Sequence, residues 1–258
     1  MTPPPALQVL NLSMHFGGIQ AIREVSFQVG QGELFAVIGP NGAGKSTIFN
    51  CVNGLYAPTQ GKILFQGEDI TGLKSHKIAH RGIARTFQNL ALFNHMTVLD
   101  NLLLGRNPYL HAGVLWGGVF FGKALHEELE SRRAVEEIID FLEIEGFRKK
   151  VVGSLPFGIQ RRIELGRALA MKPKLLLLDE PVSGMNAEER EDMARFILDI
   201  KEELGTTIVL IDHDMGVVMD IADRIVVLNF GTKIAEGHPE QIAKDTMVIQ
   251  AYLGEEKL

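Results

Sequence analysis

The chain has 258 residues, 46% of them hydrophobic and 22% charged, which is enough for a large buried core and close to the limit for a single one. With 26 Lys and Arg against 32 Asp and Glu the formal charge is −6, so no global positive field draws the protein to phosphate backbones, and nucleic acid is a poor default partner. A single cysteine, Cys51, rules out an intrachain disulfide, and no stretch approaches the ~18 apolar residues needed to cross a bilayer.

Met1-Thr2-Pro3-Pro4-Pro5 puts no basic residue ahead of an apolar run, so it does not read as a signal peptide, and a cytoplasmic protein is expected. Short strands are predicted at 7–15, 22–29, 34–38 and 62–65, several of them antiparallel and flanking a nucleotide core. Strand 34–38 runs into Gly39-Pro40-Asn41-Gly42-Ala43-Gly44-Lys45-Ser46-Thr47 and then a helical stretch toward Val52. Glycines let such a loop wrap an anion with its N–H groups turned inward, Lys45 reaches the terminal phosphates, and the Ser46 hydroxyl ligates Mg²⁺. The helix that follows adds its positive end, so the chain reads as a binder of a nucleoside triphosphate.

Further along, Arg85-Thr86-Phe87-Gln88-Asn89 follows a short apolar stretch, and the Gln88 amide is able to reach Mg²⁺ or its water. From 97 to 146 the pattern is that of a helical lobe, with Thr97 and Asp100 spaced as a capping pair and Val135, Ile138, Ile139 and Leu142 as an apolar stripe. Within it, 113–122 is apolar but short and glycine-rich, either packed on the lobe or offered to a membrane-embedded partner. Helix 158–171 with Pro173 as its stop, strand 175–178, helix 188–204, strands 207–211 and 224–228, and a helical tail then imply a parallel, two-sided sheet.

Four leucines, Leu175 to Leu178, deliver Asp179 and Glu180 to the carboxyl edge of that sheet, where ligands of parallel sheets sit. Asp179 can hold Mg²⁺, and Glu180 can orient the water that attacks a γ-phosphate. Strand 207–211 delivers Asp212-His213-Asp214 to the same edge, where the His213 imidazole can contact the γ-phosphate and the attacking water.

Taken in order, the loop at 39–47, Gln88, Leu155-Pro156-Phe157-Gly158-Ile159, Asp179-Glu180 and His213 resemble an ATP-binding cassette domain over essentially the whole chain. The resemblance implies an α/β fold: a P-loop NTPase core of the RecA-like type with an antiparallel β subdomain and an inserted helical subdomain. It implies one domain spanning 1–258, with core and β subdomain at about 1–90 and 160–235, helical subdomain at about 91–159 and a helical tail at about 236–258. It also implies ATP and Mg²⁺ as ligands, Lys45, Glu180 and His213 as catalytic residues, Ser46, Gln88 and Asp179 as metal ligands, and Phe16 stacked on adenine. Residues 39–47 would bind nucleotide in cis, and Phe157 and Gly158 in trans, across a head-to-tail dimer closed by ATP.

The sequence departs from the family's usual Leu-Ser-Gly-Gly-Gln in having Pro156, Phe157 and Ile159, and Asn186 stands where an aspartate is usual. Residues 85–89, Leu92-Phe93, Met96-Thr97-Val98, the insertion at 105–125 and the tail from Ile249 to Glu255 resemble one branch, the ATP-binding subunits of branched-chain amino acid importers. That branch implies membrane permease subunits, a second cassette subunit and an extracytoplasmic solute-binding protein as partners, no nucleic acid, and a place on the inner face of the cell membrane. Two alternatives remain open at this point: a soluble cassette ATPase acting on ribosomes or nucleic acid, and an ATP-binding module without turnover.

Overall fold

The computed structural model describes residues 4–88, 90–109 and 123–253. The chain divides into two compact units, Met1–Arg85 with Lys174–Leu258, and Thr86–Pro173. The apolar run at 113–122 lies outside the described residues.

The first unit is built on two sheets. An antiparallel sheet has the order β2 (Ile19–Val29), β1 (Leu7–Phe16), β4 (Gln60–Phe65), β5 (Glu68–Asp69). Leu7 and Val9 of β1 and Val25, Phe27 and Val29 of β2 are buried at the two-residue period of a one-faced strand, and register shifts between Val9 and Met14 break that period so that Leu12, Ser13 and Met14 are all buried. The second sheet has six strands in the order β10 (Thr232–Gly237), β9 (Arg224–Asn229), β3 (Leu34–Ile38), β8 (Thr207–Ile211), β7 (Leu175–Asp179), β6 (Ile83–Arg85). It is parallel from β9 to β6, and β10 closes one edge as an antiparallel hairpin partner.

Every residue of β3, β7 and β8 is buried, which is why these strands read as unbroken apolar runs. Helix α1 (Lys45–Val52) puts Ile48, Phe49, Cys51 and Val52 into the core shared by the two sheets. Burial pushes the Cys51 thiol up to about 11, so it acts as a small hydrophobe rather than a nucleophile. A short helix α2 (Ser75–Ala79) precedes β6. The α/β class, the parallel core and the antiparallel β subdomain expected from the sequence are all present.

The second unit is helical: α3 (Val98–Leu104), α4 (Lys123–Phe141) and α5 (Phe157–Leu169). Thr97 caps α3 by accepting from the Asp100 amide at 3.1 Å, and Asn101, buried one turn on, ties the helix to the Phe93 backbone through both its oxygen and its nitrogen. The stripe Val135, Ile139 and Leu142 is buried, with Ile138 half-buried, and α4 packs against α3 and α5.

Chain then returns to the first unit through β7. Helix α6 (Ala187–Leu204) starts in a capping box, in which Asn186 Oδ1 accepts from the Glu189 amide and Glu189 Oε2 accepts from the Asn186 amide. Helices α7 (Met215–Ile221), α8 (Pro239–Ile242) and α9 (Thr246–Leu253) complete the fold. Among the described residues no helix is long and apolar enough to cross a membrane.

Candidate functional site

The loop between β3 and α1 turns back on itself through glycines that nothing else can replace. Gly39 has φ 146°, and a Cβ there would lie 2.1 Å from the Leu228 carbonyl oxygen of β9. Gly44, the N-cap of α1, has φ 102°, and its Cβ would meet Ile22 Cδ1 at 2.4 Å. The loop is therefore clamped between β2 and β9, and the β9–β10 turn holds it again where the Gly231 amide donates to Ala43 O at 3.1 Å. Lys45 Nζ donates to the carbonyls of Gly39 at 2.5 Å and Pro40 at 2.9 Å, which folds the ammonium over the loop it belongs to. Ser46 is exposed at the first turn of α1, where backbone amides have no intrahelical acceptor.

Asp179 is the last residue of β7, and Glu180 follows in a left-handed conformation at φ 50°, its amide still donating to Ile211 O of β8 at 2.7 Å. That conformation is costly for a side chain with a Cβ and is held here by the ladder. β8 ends beside it. Asp212 is 1% exposed, and its Oδ1 accepts from the His213 and Asp214 amides at 2.7 and 2.9 Å. Its Oδ2 is buried and finds no hydrogen-bond partner among the described residues. Burial raises the Asp212 pKa above the ordinary carboxylate range, opposed by the amides of Asp214, His213 and Val182 and by the His213 ring. His213 is largely exposed, with Nδ1 3.8 Å from Glu180 Oε2 and 3.7 Å from Asp212 Oδ1. Asp214 caps α7 through the Val217 amide.

The first unit therefore brings the phosphate loop, Asp179, Glu180 and His213 to the carboxyl ends of three adjacent strands, in the order β3, β8, β7. Phe16 ends β1 in the same unit; it is 42% exposed and makes an edge contact with Tyr56 at 5.2 Å between ring centroids. It is thus a surface aromatic and not a core one. The donors offered by Ser46 and Asp179 are a hydroxyl and a carboxylate, an oxygen-only set that suits Mg²⁺.

In the helical unit, Phe157 opens α5 behind the N-cap Pro156, which supplies no side-chain cap, and Phe157 is exposed while Gly158 is buried. Gln88 is exposed, and its backbone carbonyl accepts from Arg161 Nη2 at 2.8 Å. Arg161, read alone, suggests a solvated helix face. It is instead 6% exposed, bonds the carbonyls of Phe87 and Gln88 and pairs with Glu164 at 3.0 Å beneath the Phe157 ring. Arg167 likewise donates to Ala91 O at 2.5 Å, so these cations fix the segment that carries Gln88.

Sequence reasoning missed a partner of Asp179, Arg85, and the residue behind it, Asn50. Arg85, ending β6, donates from Nη2 to Asp179 Oδ2 and from Nη1 to Asn50 Oδ1, each at 2.6 Å, with Arg85 7% and Asp179 5% exposed in their side chains. A basic residue closing the apolar pair Ile83-Ala84 was the available signal, because a buried guanidinium needs a carboxylate.

A phosphate loop ahead of a core helix, with an acid pair and a histidine on neighbouring strand ends, defines a P-loop nucleoside triphosphatase. The family model described as ABC transporter matches residues 22–183, and one described as branched-chain amino acid ATP-binding cassette transporter matches 232–257. The chain belongs to the ABC transporter family, as its ATP-hydrolysing cassette.

It is 43% identical over 254 residues to the high-affinity branched-chain amino acid transport ATP-binding protein BraF of Pseudomonas aeruginosa, covering 97% of this chain and 98% of that one. It is similar to a solved ATP-binding cassette of an ABC transporter in its ADP conformation, with TM-score 0.85 and 32% identity over 97% of this chain and 99% of that one. A dimeric cassette in a post-hydrolysis state with ADP and Pi is similar at TM-score 0.76 and 25% identity, over 90% of this chain and 98% of that one.

Proposed function

We propose that this chain is the motor of an importer for branched-chain amino acids, peripheral on the cytoplasmic face of a membrane. Its partners are integral-membrane permease subunits, a second cassette, and, indirectly, an extracytoplasmic solute-binding protein. The amino acid class is supported by the match of residues 232–257 and by the likeness to BraF. The single observation that carries the chemistry is the convergence of Lys45, Asp179, Glu180 and His213 on one sheet edge.

In this reading residues 39–47 hold the triphosphate through loop amides, and Lys45 leaves the carbonyls of Gly39 and Pro40 to neutralise terminal phosphate charge. Ser46 and Asp179 would hold Mg²⁺, with Gln88 as a further ligand, and the ion would supply charge stabilisation at the phosphates. Glu180 accepts a hydrogen bond from the attacking water and aims it, while His213, close to the Glu180 carboxylate, contacts the γ-phosphate. Phe16 stacks on adenine. The first amides of α5, at Phe157 and Gly158 of a second copy, complete the γ-phosphate site, and pairing of two cassettes is supported by the dimeric relative that holds ADP and Pi.

Reconstitution with integral-membrane permease subunits of a branched-chain amino acid importer tests the proposal. Uptake of leucine, isoleucine or valine should require ATP and stop with Lys45→Ala. Uptake that continues with Lys45→Ala, or a complex that moves none of the three amino acids, refutes it.

A further inference from the structure

Arg85 is a buried cation that the hydrolytic chemistry does not use. Its guanidinium joins three elements: β6, which carries it, β7 through Asp179, and α1 through Asn50. Both bonds are 2.6 Å, and the Phe49 ring lies under the guanidinium at 5.6 Å. Asn50 and Ser46 are four residues apart on α1, so they lie on one face of the helix. The fork therefore spans from the carboxylate at the end of β7 to the helix face that presents the Ser46 hydroxyl.

We infer that Arg85 is a positioning residue for the divalent-cation site, fixing the separation of Asp179 from Ser46 by bracing the Asp179 carboxylate against Asn50. The inference rests on the assignment of Ser46 and Asp179 as the metal donors. A planar, two-pronged guanidinium can hold a carboxylate and an amide oxygen at once, whereas an ammonium on a flexible stem concentrates its charge at one point. Outer partners that orient a ligating carboxylate are worth roughly 10–100-fold in metal affinity when removed. Compensation of the buried Asp179 charge alone would be met equally well by lysine, so the lysine variant separates bracing from charge.

The test is Mn²⁺ binding, followed by electron paramagnetic resonance, to the purified full chain saturated with a non-hydrolysable ATP analogue. Arg85→Lys should weaken Mn²⁺ by about tenfold. Asn50→Ala, at a half-buried position, should weaken it in the same direction by less. Binding of a fluorescent ATP in EDTA should stay at the parent's value in both, because the phosphate loop is untouched. Parental Mn²⁺ affinity in Asn50→Ala, or in a folded Arg85→Lys, overturns the inference if Asp179→Asn and Ser46→Ala bind Mn²⁺ weakly. If those two controls also bind Mn²⁺ like the parent, the donor assignment itself falls and takes the inference with it.

Discussion

Three carboxylates meet at the carboxyl edge of the parallel sheet, and their surroundings give them different work. Asp179 is neutralised by Arg85, Glu180 points from a left-handed backbone toward His213, and Asp212 is buried with one oxygen bonded and the other without a hydrogen-bond partner among the described residues. Asp212 is therefore the one whose folded pKa lies above that of the unfolded chain. The native protein binds the extra proton between the two values, so the penalty is absent below the unfolded pKa and grows as pH rises through the folded one. Asp212→Asn keeps an oxygen for the His213 and Asp214 amides and removes the ionisable group. Its melting temperature relative to the parent should be more favourable at about pH 7.5 than at about pH 4. Thermal unfolding at the two pH values checks this, and an equal difference at both would show that Asp212 carries no such penalty.

Among the elements, those with strong periodicity or full burial were legible. The runs Leu34–Ile38, Leu175–Asp179 and Thr207–Ile211 are buried on both faces, and α6 begins one residue from where the charged-apolar pattern places it. β6 has three residues and closes on a buried arginine, and β10 is half-buried along its length, so neither gives a period to read.

The site residues were legible where chemistry fixes spacing, as in 39–47 and 179–180. Asn50, Arg85 and the buried state of Arg161 depend on which strands become neighbours, and that is not written in any local pattern. Asn186 shows the same limit: it stands where the family pattern has an aspartate, and here it caps α6. Asn186→Ala should cost about 1 kcal/mol in denaturant unfolding and Asn186→Asp close to nothing, because the carboxylate caps as well. A loss with Asp equal to that with Ala would refute the cap as the source. Gly39→Ala is harsher, since a Cβ 2.1 Å from Leu228 O forces the loop off β9; stability should fall by more than about 2 kcal/mol, and fluorescent-ATP binding should fall with it.

At the scale of the molecule, two copies each carrying −6 repel at long range, so composition gives no reason for self-association, and closure of the proposed dimer would have to come from bound nucleotide. The α5 N-terminus lacks a side-chain cap, since Pro156 supplies none, so its first amides have only backbone chemistry to offer. Those amides are suited to a phosphate, and in the proposed dimer they would gain one from another copy. In that dimer hydrolysis would remove the γ-phosphate shared by both surfaces, so a chain that cannot hydrolyse should stay closed.

Glu180→Gln keeps the side chain's shape and its hydrogen-bonding oxygen but not the base. Turnover in the assembled complex should fall by about 10²–10⁴-fold, read as phosphate release. With Mg-ATP the same variant should elute at twice the monomer mass while the parent remains monomeric, and adding Lys45→Ala should return it to the monomer. A Glu180→Gln chain that stays monomeric at saturating ATP, or that releases phosphate at the parent rate, would remove the carboxylate from its proposed role.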